Sequence, residues 1–391
     1  MRIGVPRERR PHELRVAASP DTVRRLTGQG VEVVVERGAG AAALVPDEAF
    51  EQAGARLVAS EAEAFDADVV LKVRRPLAAG EEGADGADEM ALLRPGQVLV
   101  GMLNPYLHRD QVEAYAKAGI SAIALELIPR TTRAQSMDVL SSQANLAGYK
   151  AVLDALAEYS RVMPMMMTAA GTIPPARVFV LGAGVAGLQA IATARRLGSI
   201  VSATDVRPAA KEEVESLGAK FVGVPIEGAA TAGGYARELT PEQRERQAEM
   251  VAEHLKGQDI AITTALIPGR KAPVLITRAM VESMRPGSVI VDLAVENGGN
   301  CELSRMGEVV RHDNGVTIVG HANVPARLAP ATSGLYARNL LNFLQLLLDK
   351  EGGLRIDEDD DLVKGTLLTR DGRIVHPAFA AEGEGAAGAS A

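Results

Sequence analysis

The sequence predicts an α/β protein of two domains, each built on a doubly wound parallel sheet, with crossover helices joining them. Three observations carry this. Short uncharged apolar runs alternate with stretches of helical periodicity, as βαβ units require. A glycine triplet, Gly182-x-Gly184-x-x-Gly187, lies between one such run and a helix. A late helical stretch marked by Leu335, Leu340, Leu344, Leu347 and Leu348 follows the last strand of the second domain, and is expected to return to the first.

The glycine segment is the organising element. Val178 to Leu181 is apolar and uncharged, the pattern of a strand buried on both faces. Gly182 permits the tight turn, Gly184 lets backbone approach a pyrophosphate, and Gly187 lets the helix pack close to the strand. The helix then aims unpaired N–H groups and the positive end of its dipole at that pyrophosphate. The next strand, Ile200 to Thr204, ends in Asp205, about 20 residues beyond the turn, where a carboxylate accepts ribose hydroxyls. Strand, turn, helix and acid together predict NAD(H) binding on a Rossmann-like domain. Asp205 repels a 2′-phosphate and so favours NAD over NADP; Arg207, two residues on, softens that choice.

Composition narrows the classes. The 391 residues suffice for two or three domains, and 47% apolar residues suffice for real cores. A net charge of -8 argues against nucleic acid. No apolar run approaches the roughly 18 residues of a transmembrane helix, so no direct membrane insertion is expected. The charged start MRIGVPRERRPHELR lacks the apolar centre of a signal peptide. Cys301 is the single cysteine, which rules out an internal disulfide, fits a reducing cytoplasm and reads as a small buried filler. The cluster at Met163 to Met167 reads as core packing or interface plasticity, and no metal is expected.

In order, the first domain offers strands at Ile3 to Pro6, Val31 to Val35, Val69 to Val73, Val98 to Leu103 and Ser121 to Leu125. Ser19 and Pro20 open a helix, and another, Arg109 to Lys117, stops at Gly119. Ala78 to Ala87 reads as an exposed loop. Arg130, Arg133, Gln135 and Asp138 fall within nine positions just before a long helix, Ser141 to Tyr159. From chemistry alone this polar stretch is either a ligand site or a solvated loop between domains. Past Asp205 come a helix from Pro208 to Leu217, a stretch without packing side chains from Gly228 to Leu239 read as a mobile loop, and a helix capped by Thr240 that runs to Lys256. Strands Ile260 to Thr264, Val289 to Asp292 and Val316 to Val319 each end in polar or glycine-rich turns, the face where α/β sheets bind ligands. His321 is either a ligand contact or a structural histidine. Asp371-Gly372 signals a hairpin, and the tail from Ala380 reads as disordered. The expected domains are 1–135 with 326–391, carrying no glycine fingerprint, and 136–325, binding NAD(H).

At this point the residues carry a resemblance. MRIGVPRERRPHELRVAASP resembles the start shared by the alanine dehydrogenase and transhydrogenase family. PRTTRAQSMDVLSSQANLAGY, MMMTAAGTIPPARVFVLGAGVAGLQAIATARRLG, TAGGYA, ITTALIPG, VDLAVENGGNCE and TRDGRIVHPA resemble its proton-translocating transhydrogenase branch, in the NAD(H)-binding alpha subunit. The resemblance implies that Arg130, Gln135 and Asp138 orient the nicotinamide, with Ser141 as a further contact. It implies that Val185, Ala186 and Gly187 form the pyrophosphate turn, and that Asp205, Val206 and Arg207 form the adenosine ribose site. Tyr235, with Gly234 beside it, is implied to close over the nucleotide, and Gln247 and Leu266 to lie near it. It further implies direct hydride transfer from NADH to NADP⁺ held on a separate NADP(H)-binding subunit, proton translocation by a membrane-spanning subunit, a homodimer of this chain, and a cytoplasmic, peripheral place on the inner face of the membrane. Such a transfer needs two nicotinamides held at near-attack distance and no general acid or base. The rival is an alanine dehydrogenase, which needs a carboxylate-binding cation and a proton shuttle. Arg15 and Lys72 stand at matching cationic positions and are expected to form structural ion pairs instead. Asn104 occupies the catalytic histidine's place, with His108 four residues on, and Glu296 replaces that family's acid. A third reading, an NAD-sensing domain, leaves the polar loop unexplained.

Overall fold

The computed structural model describes residues 1–81, 86–223, 226, 239–267, 269–349 and 353–380. The chain divides into two units, one formed by Met1–Gln143 with Leu328–Ala391 and the other by Ala144–Arg327.

In the first unit six strands form one parallel sheet: β1 (Arg2–Val5), β2 (Glu32–Glu36), β3 (Arg56–Val58), β4 (Val69–Arg74), β5 (Val98–Met102) and β6 (Ser121–Ala124), in the order β3-β2-β1-β4-β5-β6. Helices α1 (Pro20–Gly28), α2 (Asp47–Gln52), α3 (Glu61–Phe65) and α4 (Arg109–Lys117) make the crossovers. Ser19 and Thr22 form a reciprocal capping box on α1, with Pro20 at its start. The sequence reading missed β3. It is three residues long at the sheet's edge, too short for a period to register.

α5 (Val139–Glu158) begins in the first unit and ends in the second. Its first turns belong to the first unit because Ser142 Oγ donates to Asn339 Oδ1 at 2.7 Å and Gln143 Nε2 donates to the Thr332 carbonyl at 3.2 Å. Those bonds place the division after Gln143, later than the boundary read from the sequence.

The second unit holds a seven-stranded sheet: β9 (Arg177–Leu181), β10 (Ile200–Thr204), β11 (Lys220–Phe221), β12 (Ile260–Thr263), β13 (Val289–Asp292), β14 (Glu308–Arg311) and β15 (Thr317–Gly320), in the order β11-β10-β9-β12-β13-β15-β14. All pairings are parallel except β14 with β15. β9 alternates as two-sided burial demands. Val178 and Val180 pack with Ala190, Ile191 and Ala194 of α6 (Val185–Arg196). Phe179 and Leu181 pack with Val251 and Leu255 of α8 (Pro241–Leu255) and with Met280 and Val281 of α9 (Arg278–Ser283). Each fully buried side chain of this size stabilises the fold by about 1.5–3 kcal/mol. Helix α7 (Pro208–Ser216) follows β10, and Cys301 is buried as expected.

Two corrections concern this unit. The antiparallel edge strand β14 was not foreseen. The methionine cluster is not core: Met163 is buried, but Met165, Met166 and Met167 are exposed, Met167 by 80%. They belong to a hairpin, β7 (Met166–Thr168) with β8 (Gly171–Ile173), exposed along its length.

α10 (Ala329–Leu344) returns to the first unit, where Tyr336, Leu340, Phe343 and Leu344 join the core of β1, β2 and β4. α11 (Asp361–Thr366) and the hairpin β16 (Thr369–Arg370) with β17 (Arg373–Ile374) close the unit. The hairpin turn is Asp371-Gly372, both at positive φ as its sequence predicts. Among the described residues no helix is long and apolar enough to cross a membrane.

Candidate functional site

The glycine turn follows β9 directly, and its three glycines do three different things. Gly182 sits at φ +102°, where a Cβ would meet Thr264 Oγ1 at 2.5 Å. A Cβ on Gly187 would lie 1.8 Å from the Gly182 carbonyl oxygen, so this glycine lets α6 press against the turn. Gly184 is different: a Cβ there would meet nothing within 4 Å. The protein does not use that space, and a ligand can. Gly184 is also the N-cap of α6 and supplies no side-chain cap. The first-turn amides, those of Val185, Ala186 and Gly187, therefore have no intrahelical acceptor. The helix end is open to an anion.

Asp205, after β10, is held against this turn. Its Oδ2 accepts from the Ala183 amide at 2.8 Å, and its Oδ1 accepts from the Arg207 amide at 2.9 Å. The Arg207 guanidinium adds bonds of 2.9 and 3.0 Å, and this pairing raises the arginine's pKa. Asp205, Arg207 and the turn are thus one constellation, with Val206 half-buried between them.

The loops after β12 and β13 are braced by two residues that sequence reasoning missed. Asn300, fully buried, accepts from the Ala265 amide at 3.0 Å and donates to the Ala265 and Pro273 carbonyls at 2.9 and 2.8 Å. Asp292 accepts from the Ala294, Asn300 and Cys301 amides and from Ser304 Oγ. The available signal was a carboxylate and an amide in otherwise apolar or glycine-rich sequence, VDLAVENGGN. Leu266, on the braced loop, is 44% exposed. Gln247 is half-buried on α8. Gly234 and Tyr235 lie outside the described residues.

In the first unit the polar stretch forms a 3-10 turn, Thr132–Met137, with Ala134 and Met137 buried beneath it. Asn339 and Asn342 of α10 both donate to the Ser136 carbonyl, at 2.8 and 3.0 Å. Arg133 pairs with Asp360. Asp138 caps α5: its Oδ1 accepts from the Ser141 amide at 2.9 Å and its Oδ2 from Ser141 Oγ at 2.6 Å. Asp138 and Ser141 therefore come together, whereas Gln135 is exposed and its side chain bonds to no described residue. Arg130 is exposed at the head of the same loop. Anchored backbone with outward polar side chains is a positioning arrangement.

The alanine dehydrogenase/PNT N-terminal domain model matches residues 4–147, and the C-terminal domain model matches residues 151–377. The chain belongs to the alanine dehydrogenase/PNT family. Within this family it is 57% identical over 389 residues to an NAD(P) transhydrogenase subunit alpha of Rhodospirillum rubrum, covering 98% of this chain and 100% of that one. A solved transhydrogenase structure from Sinorhizobium meliloti superposes with a TM-score of 0.84 at 53% identity, covering 96% of this chain and 100% of that one. An alanine dehydrogenase of Halomonas elongata is more distant, 31% identical over 387 residues, covering 97% and 96%. The chain is thus a member of the transhydrogenase alpha-subunit branch, a family of oxidoreductases that bind pyridine nucleotides.

The two branches of the alanine dehydrogenase/PNT family differ in what the first unit must do, and here its cations are already engaged. Arg15 is 3% exposed and donates to Glu13 through Nε at 2.7 Å and Nη2 at 2.6 Å, and to Gln143 Oε1 at 2.7 Å. Lys72, 1% exposed, binds both oxygens of Glu89 at 2.7 and 2.9 Å and lies 3.4 Å from Glu8. Both form the structural ion pairs expected of them. Burial pushes the Glu8 carboxyl up to about 7, against the pull of Lys72. Asn104 turns at φ +49°, its amide bound by Glu126. Burial also pushes Glu126 up to about 7, and its second oxygen is buried without a partner. His108 is lowered by burial and by Arg75. His321 is lowered by burial and by Arg327.

Proposed function

We propose that this chain is the NAD(H)-binding subunit of a proton-translocating transhydrogenase and transfers hydride directly between NADH and NADP⁺ held on a partner subunit. One observation carries the choice within the family. The cations that a keto-acid carboxylate would need, Arg15 and Lys72, are buried against the chain's own glutamates, and Asn104 cannot shuttle a proton near neutral pH. What the chain retains is apparatus for binding and orienting a dinucleotide.

The residues fit NAD(H). The open space at Gly184 and the uncapped start of α6 suit a pyrophosphate. Gly182 and Gly187 set the turn, and Val185 and Ala186 present amides to it. Asp205, Val206 and Arg207 hold the adenosine ribose. Gln247, Leu266, Gly234 and Tyr235 are further contacts. Bound there, the dinucleotide supplies the hydride. Arg130, Gln135 and Asp138, with Ser141, orient the nicotinamide end, and catalysis is by positioning. Asp138 does this while fixed by Ser141, so its carboxylate offers a preset acceptor.

The NADP(H)-binding and membrane-spanning subunits complete the enzyme, and proton translocation belongs to the assembly. The chain sits on the cytoplasmic face of the membrane through these partners. It also forms a homodimer, supported by the exposed hairpin β7–β8. A two-stranded ribbon carrying Met166, Met167 and Ile173 in water is marginal alone and gains from being covered.

The purified chain is mixed with an NADP(H)-binding subunit, and hydride transfer from NADH to an NADP⁺ analogue is followed. Transfer is expected only in the mixture. Reduction of NAD⁺ by alanine with this chain alone would overturn the proposal.

A further inference from the structure

At the amino ends of β9, β12 and β13, the end of the second sheet opposite the glycine turn, lies an open groove of about 660 Å³. It is lined by Arg177, Val222, Met250, His254, Lys256 and Arg285, among others. Its size is that of a small-molecule site. Its charge is unusual for a chain of net charge -8. Lys256 pairs with Glu253. The exposed guanidinium groups of Arg177 and Arg285 form no ion pair with any described residue.

His254 forms the fixed wall. Its Nε2 lies 2.8 Å from Ser202 Oγ, which itself donates to the Val178 carbonyl at 3.4 Å. Ser202 thus accepts from Nε2–H, and Nδ1 is left as the second nitrogen. The ring stands edge-on to Phe179, with centroids 4.6 Å apart. Val222 and Met250 add an apolar stretch. The groove therefore combines two guanidinium groups without counter-ions, an oriented imidazole and an apolar wall.

We propose that this groove binds a phosphate monoester of a small molecule, the phosphate between Arg177 and Arg285 beside His254, the organic body along Val222 and Met250. Planar guanidinium groups match phosphate oxygens in pairs. Such an anion also balances the cations that now oppose protonation of His254, whose pKa is lowered by burial, Lys220 and Arg177. The site is independent of the dinucleotide turn, since it uses none of its residues.

The test uses the whole chain saturated with NADH, so that the glycine turn is occupied. The His254 ring resonances, assigned by their loss in His254→Asn, are followed by NMR during titration with inorganic phosphate and with phenyl phosphate. Both are expected to shift them and to raise the apparent pKa of His254, phenyl phosphate binding more tightly. The double variant Arg177→Gln/Arg285→Gln is expected to weaken both roughly tenfold or more, with NADH binding unchanged. Shifts reproduced by chloride at matched ionic strength, or retained in the double variant, would overturn the proposal. Equal affinity for the two phosphates would overturn the monoester class.

Discussion

Replacing Gly184 and Gly187 singly by alanine separates a glycine kept for a ligand from a glycine kept for the fold. At Gly187 the new methyl would lie 1.8 Å from the Gly182 carbonyl oxygen, a backbone atom with no rotamer to escape into. Overpacking of this kind costs about 1–3 kcal/mol, and the gain in helix propensity returns about 1 kcal/mol at most. Because the obstacle is backbone, the upper end applies, and Gly187→Ala should lose about 2 kcal/mol of stability. At Gly184 the backbone (φ −73°, ψ −171°) accepts alanine and the methyl meets no atom. A poorer N-cap costs about 0.5–1 kcal/mol, and the stiffer unfolded chain offsets about 0.4–1 kcal/mol. Stability should be unchanged within about 0.5 kcal/mol. NADH affinity should nevertheless fall by roughly tenfold or more, since the methyl takes the place of backbone–pyrophosphate contact. Urea unfolding reads the first quantity and NADH fluorescence titration the second. Wild-type affinity in a folded Gly184→Ala would refute the reasoning, because the open volume would then not be where the ligand lies.

Gln135→Asn should slow hydride transfer far more than it weakens NADH binding, with stability unchanged because the side chain bonds to no described residue; a proportional loss of binding counts against positioning. Glu13→Ala should cost about 3–5 kcal/mol in chemical denaturation, since it leaves the buried Arg15 guanidinium without its carboxylate. Glu126 is raised from 4.5 to about 7, so between those values the folded state holds a proton that the unfolded state has released. Stability is then highest below that window and falls as pH rises through it, by up to about 3 kcal/mol. Glu126→Gln should flatten the fall, and an unaltered pH profile of the urea midpoint would show that Glu126 is not its source.

The strands and helices around the glycine turn were legible because each is long, periodic and bounded by residues with one physical use. Ser19 and Thr240 do form the reciprocal caps their spacing suggests. What escaped was set by partners distant in sequence. β3 and β14 are edge strands whose existence depends on neighbours, and three or four residues carry no usable period. The methionines looked like core because composition says nothing of which face meets solvent. At the site, the polar loop was visible as a density of charge and amide. Its division of labour was not. Arg133 is engaged by Asp360, Asp138 caps a helix, and Ser136, which has no distinctive chemistry, is where α10 grips the loop through its carbonyl. Asn300 and Asp292 escaped for the same reason: a brace is defined by the backbone amides it collects, and those are known only once the chain is folded.

The pairing of Asp205 with Arg207 bears on how coenzymes are told apart. While the carboxylate keeps the guanidinium to itself, a 2′-phosphate meets an anion with its natural counter-ion already claimed. Neutralise position 205, and the same arginine becomes a welcoming hand for the phosphorylated coenzyme. Selectivity would then reside less in the contour of the pocket than in the allegiance of one movable cation.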